Sequence, residues 1–317
     1  TNQWIRSGFL LHFGLFALIL CITVAISIRF SRAFRRVEEL SENLDNTNRA
    51  YARFVPTPFL EHLDKAGVTE IGLGDHVERE MALFFSDIRG FTRLSESMSP
   101  RENFEFLNSY LNHVSPVIRE NKGFIDKYIG DAIMALFPGN AESALQAAIQ
   151  MQIEIRKFNH YRMRNRQEPI GVGIGLHYGR LILGTVGTSD RMAGTVISDD
   201  VNTASRIEGL TKEYGAQMLV SEELVRQLDD PDRFRMRRID TVKVRGRGQP
   251  VSIYELFDGL AEYRLQLFDS TKNDFAQGVQ AFHAGDRAEC QARMETVLAR
   301  NPADEAARIY LQRLASE

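Results

Sequence analysis

Cysteine is almost missing from this chain: Cys21 and Cys290 are the only two among 317 residues, too few for a disulfide framework. No Cys/His group has the spacing of zinc ligands, which argues against a structural zinc module. Charge of one sign is lacking as well. Lys and Arg number 39 against 42 Asp and Glu, for a formal net charge of −3, and nucleic-acid binders carry a basic excess instead. The hydrophobic share of 44% is too high for a disordered chain. The length suits about two domains of ~150 residues each. The first residue is Thr1 rather than Met, so the sequence is expected to be a piece of a longer protein.

What is present begins with an uncharged apolar run over residues 8–28, GFLLHFGLFALILCITVAISI. At 1.5 Å per residue it spans ~30 Å, the thickness of a bilayer core. A buried core helix would be shorter or show a polar stripe. A signal peptide would end in a small-residue cleavage site, and none follows. Residues 1–29 are therefore expected to hold a transmembrane helix. Arg29, Arg32, Arg35 and Arg36 follow at once, and such a cluster stays on the cytoplasmic side. The expected location is the cell membrane, with the rest of the chain cytoplasmic. Over residues 30–56, Val37, Leu40, Leu44, Thr47, Tyr51 and Phe54 recur by threes and fours. The pattern reads either as a short parallel coiled coil joining membrane to cytoplasmic domain or as an amphipathic helix packed on its own domain. Pro56 and Pro58 are expected to end it, with a linker over 57–80.

The main domain is expected over 81–258. Residues 81–85, MALFF, read as a buried strand that delivers Asp87 at its end. Ser99-Pro100-Arg101-Glu102 is a capping box with proline at the first helical position, and it opens a helix to about Asn121. Two apolar runs flank the turn Gly130-Asp131, a hairpin signal. Helical periodicity follows over 141–158, strands are expected over 170–177 and 181–186, and a helix over 201–210, capped by Asp199 or Asp200. The order suggests an α+β fold with helices on one sheet. Adjacent strands would bring Asp87 and Asp131 together, and two carboxylates beside a glycine-rich loop suit magnesium with a polyphosphate. Turn chemistry alone would also explain two such aspartates.

Three motifs carry a resemblance. Phe85-Ser86-Asp87-Ile88-Arg89-Gly90-Phe91-Thr92, then Lys127-Tyr128-Ile129-Gly130-Asp131, then Asp200-Val201-Asn202-Thr203-Ala204-Ser205-Arg206 resemble, in this order and spacing, the catalytic domain of class III nucleotidyl cyclases over residues 53–257. The resemblance implies a βαββαβ ferredoxin-like or palm-like sheet. It implies two Mg²⁺ (or Mn²⁺) ions held by Asp87, Asp131 and the main chain of Ile88. The backbone of Ile88, Gly90, Phe91 and Thr92 would hold the nucleotide phosphates, Asn202 would orient the ribose, and Arg206 would contact the reacting phosphate. Lys127 and Thr195 take the two purine-reading positions. Lysine only donates and suits adenine N1, whereas threonine can accept from the N6 amino group. The implied activity is ATP to cyclic AMP at a head-to-tail homodimer interface, in a threonine subtype that is often bicarbonate-responsive. Guanylate cyclase and a non-catalytic nucleotide sensor are the alternatives. Three departures stand out: Gly194 replaces a common aromatic, Ser198 a common glycine, and Arg245 with Arg247 a Lys-Gly-Lys pattern. Arg245 is expected to bind phosphate, although a solvated turn would fit both arginines.

Residues 265–317 carry helical spacing with turns at Gly285-Asp286 and Asn301-Pro302. They resemble little more than one tetratricopeptide-type repeat, too few for a free-standing solenoid. The tail is either a helical cap on the main domain or a docking surface for a protein partner. Cys290 is expected to be buried in it.

Overall fold

A computed structural model describes residues 3–51, 56–65, 67–242 and 250–316, the side chains of residues 3–11, 51 and 68 excepted. The chain divides into two units, residues 1–55 and 56–317. The first contains one continuous helix, α1 (Gln3–Tyr51). No break separates its apolar part from the heptad part, and the side chains of Val37, Leu40 and Leu44 are all exposed. The expected stop at Pro56 and the seam position Phe54 adjoin or lie outside the described residues.

The second unit starts with α2 (Thr57–His62), which carries proline in its first turn. The expected linker over 57–80 is therefore structured. Its last five residues also belong to the first strand, β1 (His76–Ile88), rather than preceding a strand at Met81. The polar half of β1 pairs on one side only, with the fourth strand, and alternates in exposure. From Met81 to Ser86 the strand is flanked on both sides and buried. The early half thus lacks the continuous apolar run by which a buried strand is legible.

After β1 come α3 (Phe91–Glu96) and α4 (Pro100–Glu120). The expected capping box is formed: Ser99 Oγ accepts from Glu102 N, and the Glu102 carboxylate accepts from Ser99 N at 2.8 Å. Strands β2 (Phe124–Ile129) and β3 (Ala132–Pro138) form the hairpin around Gly130, at φ 64°. Helix α5 (Ala141–Arg164) runs past the expected end at Phe158. Residues 170–177 and 181–186 belong to one strand, β4 (Val172–Gly187), rather than two. Tyr178, Gly179 and Arg180 make no turn because they stay in register with Ala82, Met81 and Glu80. Then follow β5 (Met192–Ile197), α6 (Asp199–Glu213), β6 (Met218–Ser221), α7 (Glu222–Val225), β7 (Met236–Val242) and β8 (Val251–Leu256). The cap of α6 is Ser198, whose Oγ accepts from Asp200 N at 3.0 Å, and not Asp199 or Asp200. Both aspartates lie in the first turn, where the helix dipole favours them.

Among the described residues the sheet runs β2-β3-β1-β4-β6-β8-β7, with β5 paired to the outer end of β4. The β1-α-β2-β3-α5-β4 core is the expected α+β arrangement. Two layers of core follow from the strand period of two. Ala82, Phe84 and Ile88 face α4 and α5, where Tyr110, Ile118 and Met151 are buried. On the opposite face Leu219, Ile239 and Ile253 meet Ile207 of α6 and the last three helices. These are α8 (Glu262–Ala284), α9 (Arg287–Arg300) and α10 (Glu305–Ser316). Of their apolar positions, Phe275, Cys290, Met294 and Tyr310 are buried in this cluster.

Candidate active site

Asp87 stands at the C-terminal end of β1, opposite Gly173 of β4. Asp131 follows the left-handed Gly130 in the β2–β3 turn, and its Oδ2 accepts a hydrogen bond from Ile88 N at 3.1 Å. The two carboxylates face each other. Burial, and then the facing Asp87, push Asp131 up to about 7. A third carboxylate, Glu208 of α6, is pushed up to about 7 by burial and by the charge of Asp87, against the pull of Arg89. Carboxylates crowded in this way cannot all ionise without a counter-cation. Among the described residues no three His, Cys, Asp or Glu side chains are gathered as a metal cage. The all-oxygen set of Asp87, Asp131 and the Ile88 main chain nevertheless fits a hard divalent cation, which takes few protein carboxylates and completes its shell with water and phosphate.

The loop leaving β1 is fixed from behind. Arg89 N donates to Gly171 O at 2.8 Å, and its Nη2 donates to Thr211 O at 3.0 Å and to Ala216 O, beyond the end of α6. Gly90 sits at φ 69° as the N-cap of α3, a conformation that costs glycine nothing. The helix start leaves the N–H groups of Phe91 and Thr92, shortly after Asp87 in the chain, without intrahelical partners.

Helix α6 lies close on β4 because that face of the strand is glycine. A Cβ on Gly175 would stand 2.2 Å from Glu208 N, and one on Gly179 would stand 2.2 Å from Asp200 Oδ2. Thr203, Ala204 and Ile207 are buried against the strand, and Asn202 and Arg206, four residues apart, share the exposed face. The start of α6 is pinned. Buried His177 bridges Ser221 Oγ at 2.8 Å and Asp200 Oδ1 at 3.1 Å, and Asp200 Oδ2 accepts from Arg180 N at 2.9 Å.

Lys127 is half-buried on β2, 3.2 Å from Asp126 Oδ2. Thr195 is half-buried on β5, opposite Gly184. Phe59 of α2 packs where a Cβ on Gly194 would be 2.9 Å from its ring. An aromatic from another element thus fills the space beside Gly194, where the resemblance would put an aromatic side chain. The same helix lies on β2, with His62 stacked on Phe124 at 5.8 Å between centroids. So the structure brings together Asp87, Ile88 and Asp131, sets Gly90, Phe91 and Thr92 beside them, and presents Asn202 and Arg206 from one helix face. Arg245, and Arg247 with it, falls outside the described residues.

Sequence reasoning missed the supports. Arg89 lies inside a quoted motif and Glu208 two residues after another, but their burial and partners come from elements up to 127 residues apart. His177 and Asp200 meet across 23 residues, with no local signal.

Residues 76–257 match the family model described as the adenylate and guanylate cyclase catalytic domain. A protein of Anabaena cylindrica described as adenylate cyclase is 48% identical over 219 residues, covering 67% of this chain and 44% of that protein. The chain spans less than half the length of the curated relatives it matches first. Among solved structures, the adenylyl cyclase CyaB from P. aeruginosa aligns with a TM-score of 0.51 at 30% identity, over 57% of this chain and 95% of that one. The guanylyl cyclase Cya2 aligns with a TM-score of 0.52 at 29% identity, over 59% and 95%.

Proposed function

The chain belongs to the family of adenylate and guanylate cyclase catalytic domains, and from that membership we propose that it is an adenylate cyclase, converting ATP to 3′,5′-cyclic AMP and pyrophosphate at a homodimer interface. The observation that carries the reading is the Asp87–Asp131 pair, closed by the Ile88 N–H at 3.1 Å. Two Mg²⁺ or Mn²⁺ ions held by Asp87, Asp131 and the Ile88 main chain would supply activation of the attacking oxygen and neutralisation of the leaving group. The chain's own groups do the rest. Asn202 holds the ribose so that its 3′-oxygen lies in line with the α-phosphorus and the departing pyrophosphate. Arg206 balances the charge that spreads over the phosphoryl oxygens. The main-chain N–H groups of Gly90, Phe91 and Thr92 bind phosphate, with Arg245 as a further phosphate ligand.

The similar scores of an adenylyl and a guanylyl cyclase structure leave the purine to the side chains. Lys127 donates to adenine N1, and Thr195 accepts from the N6 amino group. Guanine inverts both and would leave the lysine facing an N–H. Such a mismatch in a closed site discriminates by ~10⁴-fold or more.

A pair of chains is supported by the surface around these residues. Tyr128, Ile129, Ile182, Val186, Met192 and Ile197 are all exposed at the β2–β3 tip and on the β4–β5 arm. Apolar side chains clustered beside site residues mark an interface. In the pairing we propose, Asp87 and Asp131 of one copy meet Lys127, Thr195, Asn202 and Arg206 of the other. Helix α1 is long and apolar enough to cross a membrane; we assign it as the anchor, with the catalytic unit cytoplasmic by the arginines that follow.

The test is product analysis of the purified chain with ATP or GTP, in Mg²⁺ and in Mn²⁺. Cyclic AMP from ATP, with GTP poorly used, is expected. A preference for GTP would make the chain a guanylate cyclase. Nucleotide binding without any cyclic product from the dimer would make it a sensor. In Lys127→Glu with Thr195→Cys, ATP use should fall and GTP use should gain relative to it. An unchanged preference would remove the purine roles of both residues.

A further inference from the structure

We propose that the C-terminal helix α10 sets the catalytic rate, because Arg313 holds Asp240, Tyr310 holds the neighbouring Ile239 carbonyl, and the cluster, through Tyr214, fixes the far end of the helix that carries Arg206. The inference rests on the cyclase reading of Asn202 and Arg206. Tyr310 and Arg313, on which it turns, lie beyond the 76–257 segment that matches the family.

Asp240 of β7 is 3% exposed. Its carboxylate gathers donors from three elements. Tyr214 OH donates to Oδ2 at 2.5 Å, Arg313 Nη1 donates to Oδ2 at 2.6 Å, and Thr241 N donates to Oδ1 at 2.7 Å. Arg313 Nη2 also donates to Tyr214 OH at 3.0 Å, and Tyr310 OH donates to Ile239 O at 2.7 Å. Tyr214 is the C-cap of α6, Ile239 and Asp240 belong to β7, and Tyr310 and Arg313 belong to α10. One buried charge therefore locks the end of α6 to a strand and to the tail. The start of α10 is locked too: Asp304, whose Oδ1 accepts from Ala307 N, takes Arg237 Nη1 at 2.8 Å, and Arg237 also holds Glu255.

Such a cluster is a poor device for stability alone. Desolvating charges can outweigh their attraction, and apolar replacements are often as stable. Phe275, Val279 and Met294 already bury the tail against the sheet. What directional bonds add is position. Helix α6 is clamped at its start by His177 and Arg180 through Asp200, independently of the tail, and at its end by Asp240 together with Arg89, which holds the carbonyls of Thr211 and Ala216. At 1.5 Å per residue, Asn202 lies ~3 Å, Arg206 ~9 Å and Tyr214 ~21 Å beyond Asp200. If the far clamp yields by 1 Å and α6 pivots at its start, Arg206 moves ~0.4 Å and Asn202 ~0.1 Å on the same rise. The tail should therefore act on the reacting phosphate and spare the ribose contact. That is a fall in kcat with little change in KM.

The experiment compares the full chain with Arg313→Met, which keeps the apolar stem and removes the charge, with Arg313→Lys, and with Tyr310→Phe. Steady-state kcat and KM for ATP are read well below each unfolding midpoint, with dimer content by sedimentation. Arg300→Met is the control, since its ion pair with Asp274 lies on the tail surface. Arg313→Met should lower kcat ~10-fold, the scaled share of the ~10²-fold that 1 Å costs. The ATP KM should stay within about twofold, because Asn202 hardly moves. Arg313→Lys should recover most of the rate, and Tyr310→Phe should lower kcat in the same direction by less. Arg300→Met should leave both constants alone. If Arg313→Met does not fold, Tyr310→Phe decides. A folded dimer of either variant with wild-type kcat overturns the proposal, as does a loss that falls on KM alone. An inactive wild-type chain would overturn the cyclase reading instead.

Discussion

At the scale of single residues, the site is a problem of crowded negative charge. Asp131 ordinarily titrates near 3.8 and is raised to about 7 in the fold. A raised acid favours its protonated form in the folded state. Its contribution to stability is full below pH ~4 and is lost as pH rises through about 7. Glu208 titrates over the same window for the same reasons, burial first and Asp87 next. The metal-free protein should therefore melt at progressively lower temperature as pH rises from ~4 to about 7, and level off above that. Asp131→Asn should flatten part of the fall, Mn²⁺ should reverse it in the wild type but not in the variant, and turnover of the variant should drop by ~10²-fold or more, since a charged metal ligand is gone. Calorimetry against pH, with and without Mn²⁺, checks this. A wild-type midpoint that rises across the window would contradict the carboxylate pairing.

At the scale of elements, glycine decides how near a helix can come. Gly175 has no side chain because Glu208 N stands 2.2 Å from where its Cβ would be. Gly175→Ala should push α6 outward, at a cost of ~1–3 kcal/mol for overpacking, and reduce activity. Thermal melts paired with cyclase assays read both effects. Helix α1 poses a different question. Val37, Leu40 and Leu44 are exposed on it, at heptad spacing, so a second copy is the natural cover. Leu40→Glu with Leu44→Glu puts like charges at that seam. A chain beginning at Ala33 and carrying both changes should dissociate more readily and lose activity in parallel, with partial recovery at high concentration. If it stays dimeric and fully active when dilute, the helix plays no part in pairing the catalytic units.

For the molecule as a whole, the reading requires two copies. Asp87→Ala and Arg206→Ala should each be inactive as homodimers. Mixed and allowed to exchange, they form dimers in which one site carries both lesions and the other carries none. Activity should return toward a quarter of wild type, as random pairing makes about half the dimers mixed with one intact site each. Exchange demonstrated by a tagged subunit with no regained activity would mean that each chain builds its own site. The three tail helices belong to the same compact unit as the sheet, which makes the tail a structural neighbour of the candidate site rather than an appendage on a linker.

The sequence alone was enough to name the candidate site residues and several of the elements around them. Asp87, Asp131, Asn202 and Arg206 lie in short motifs whose identity is local, and the capping box at Ser99 is a four-residue signal that the fold obeys. Local pattern also misled where pairing overrides it. Tyr178-Gly179-Arg180 looks like a break and is mid-strand, because β1 supplies partners along its whole length. The polar start of β1 looks like a linker and is a strand for the same reason. What only the tertiary structure decided is which groups support the site: Arg89 reaching past the end of α6, His177 holding Asp200, and Asp240 drawing Tyr214 and Arg313 together from 26 and 73 residues away. Burial and long-range hydrogen bonding have no period in the sequence. A charged residue that will be desolvated against a distant partner reads, in the linear chain, like any solvated one.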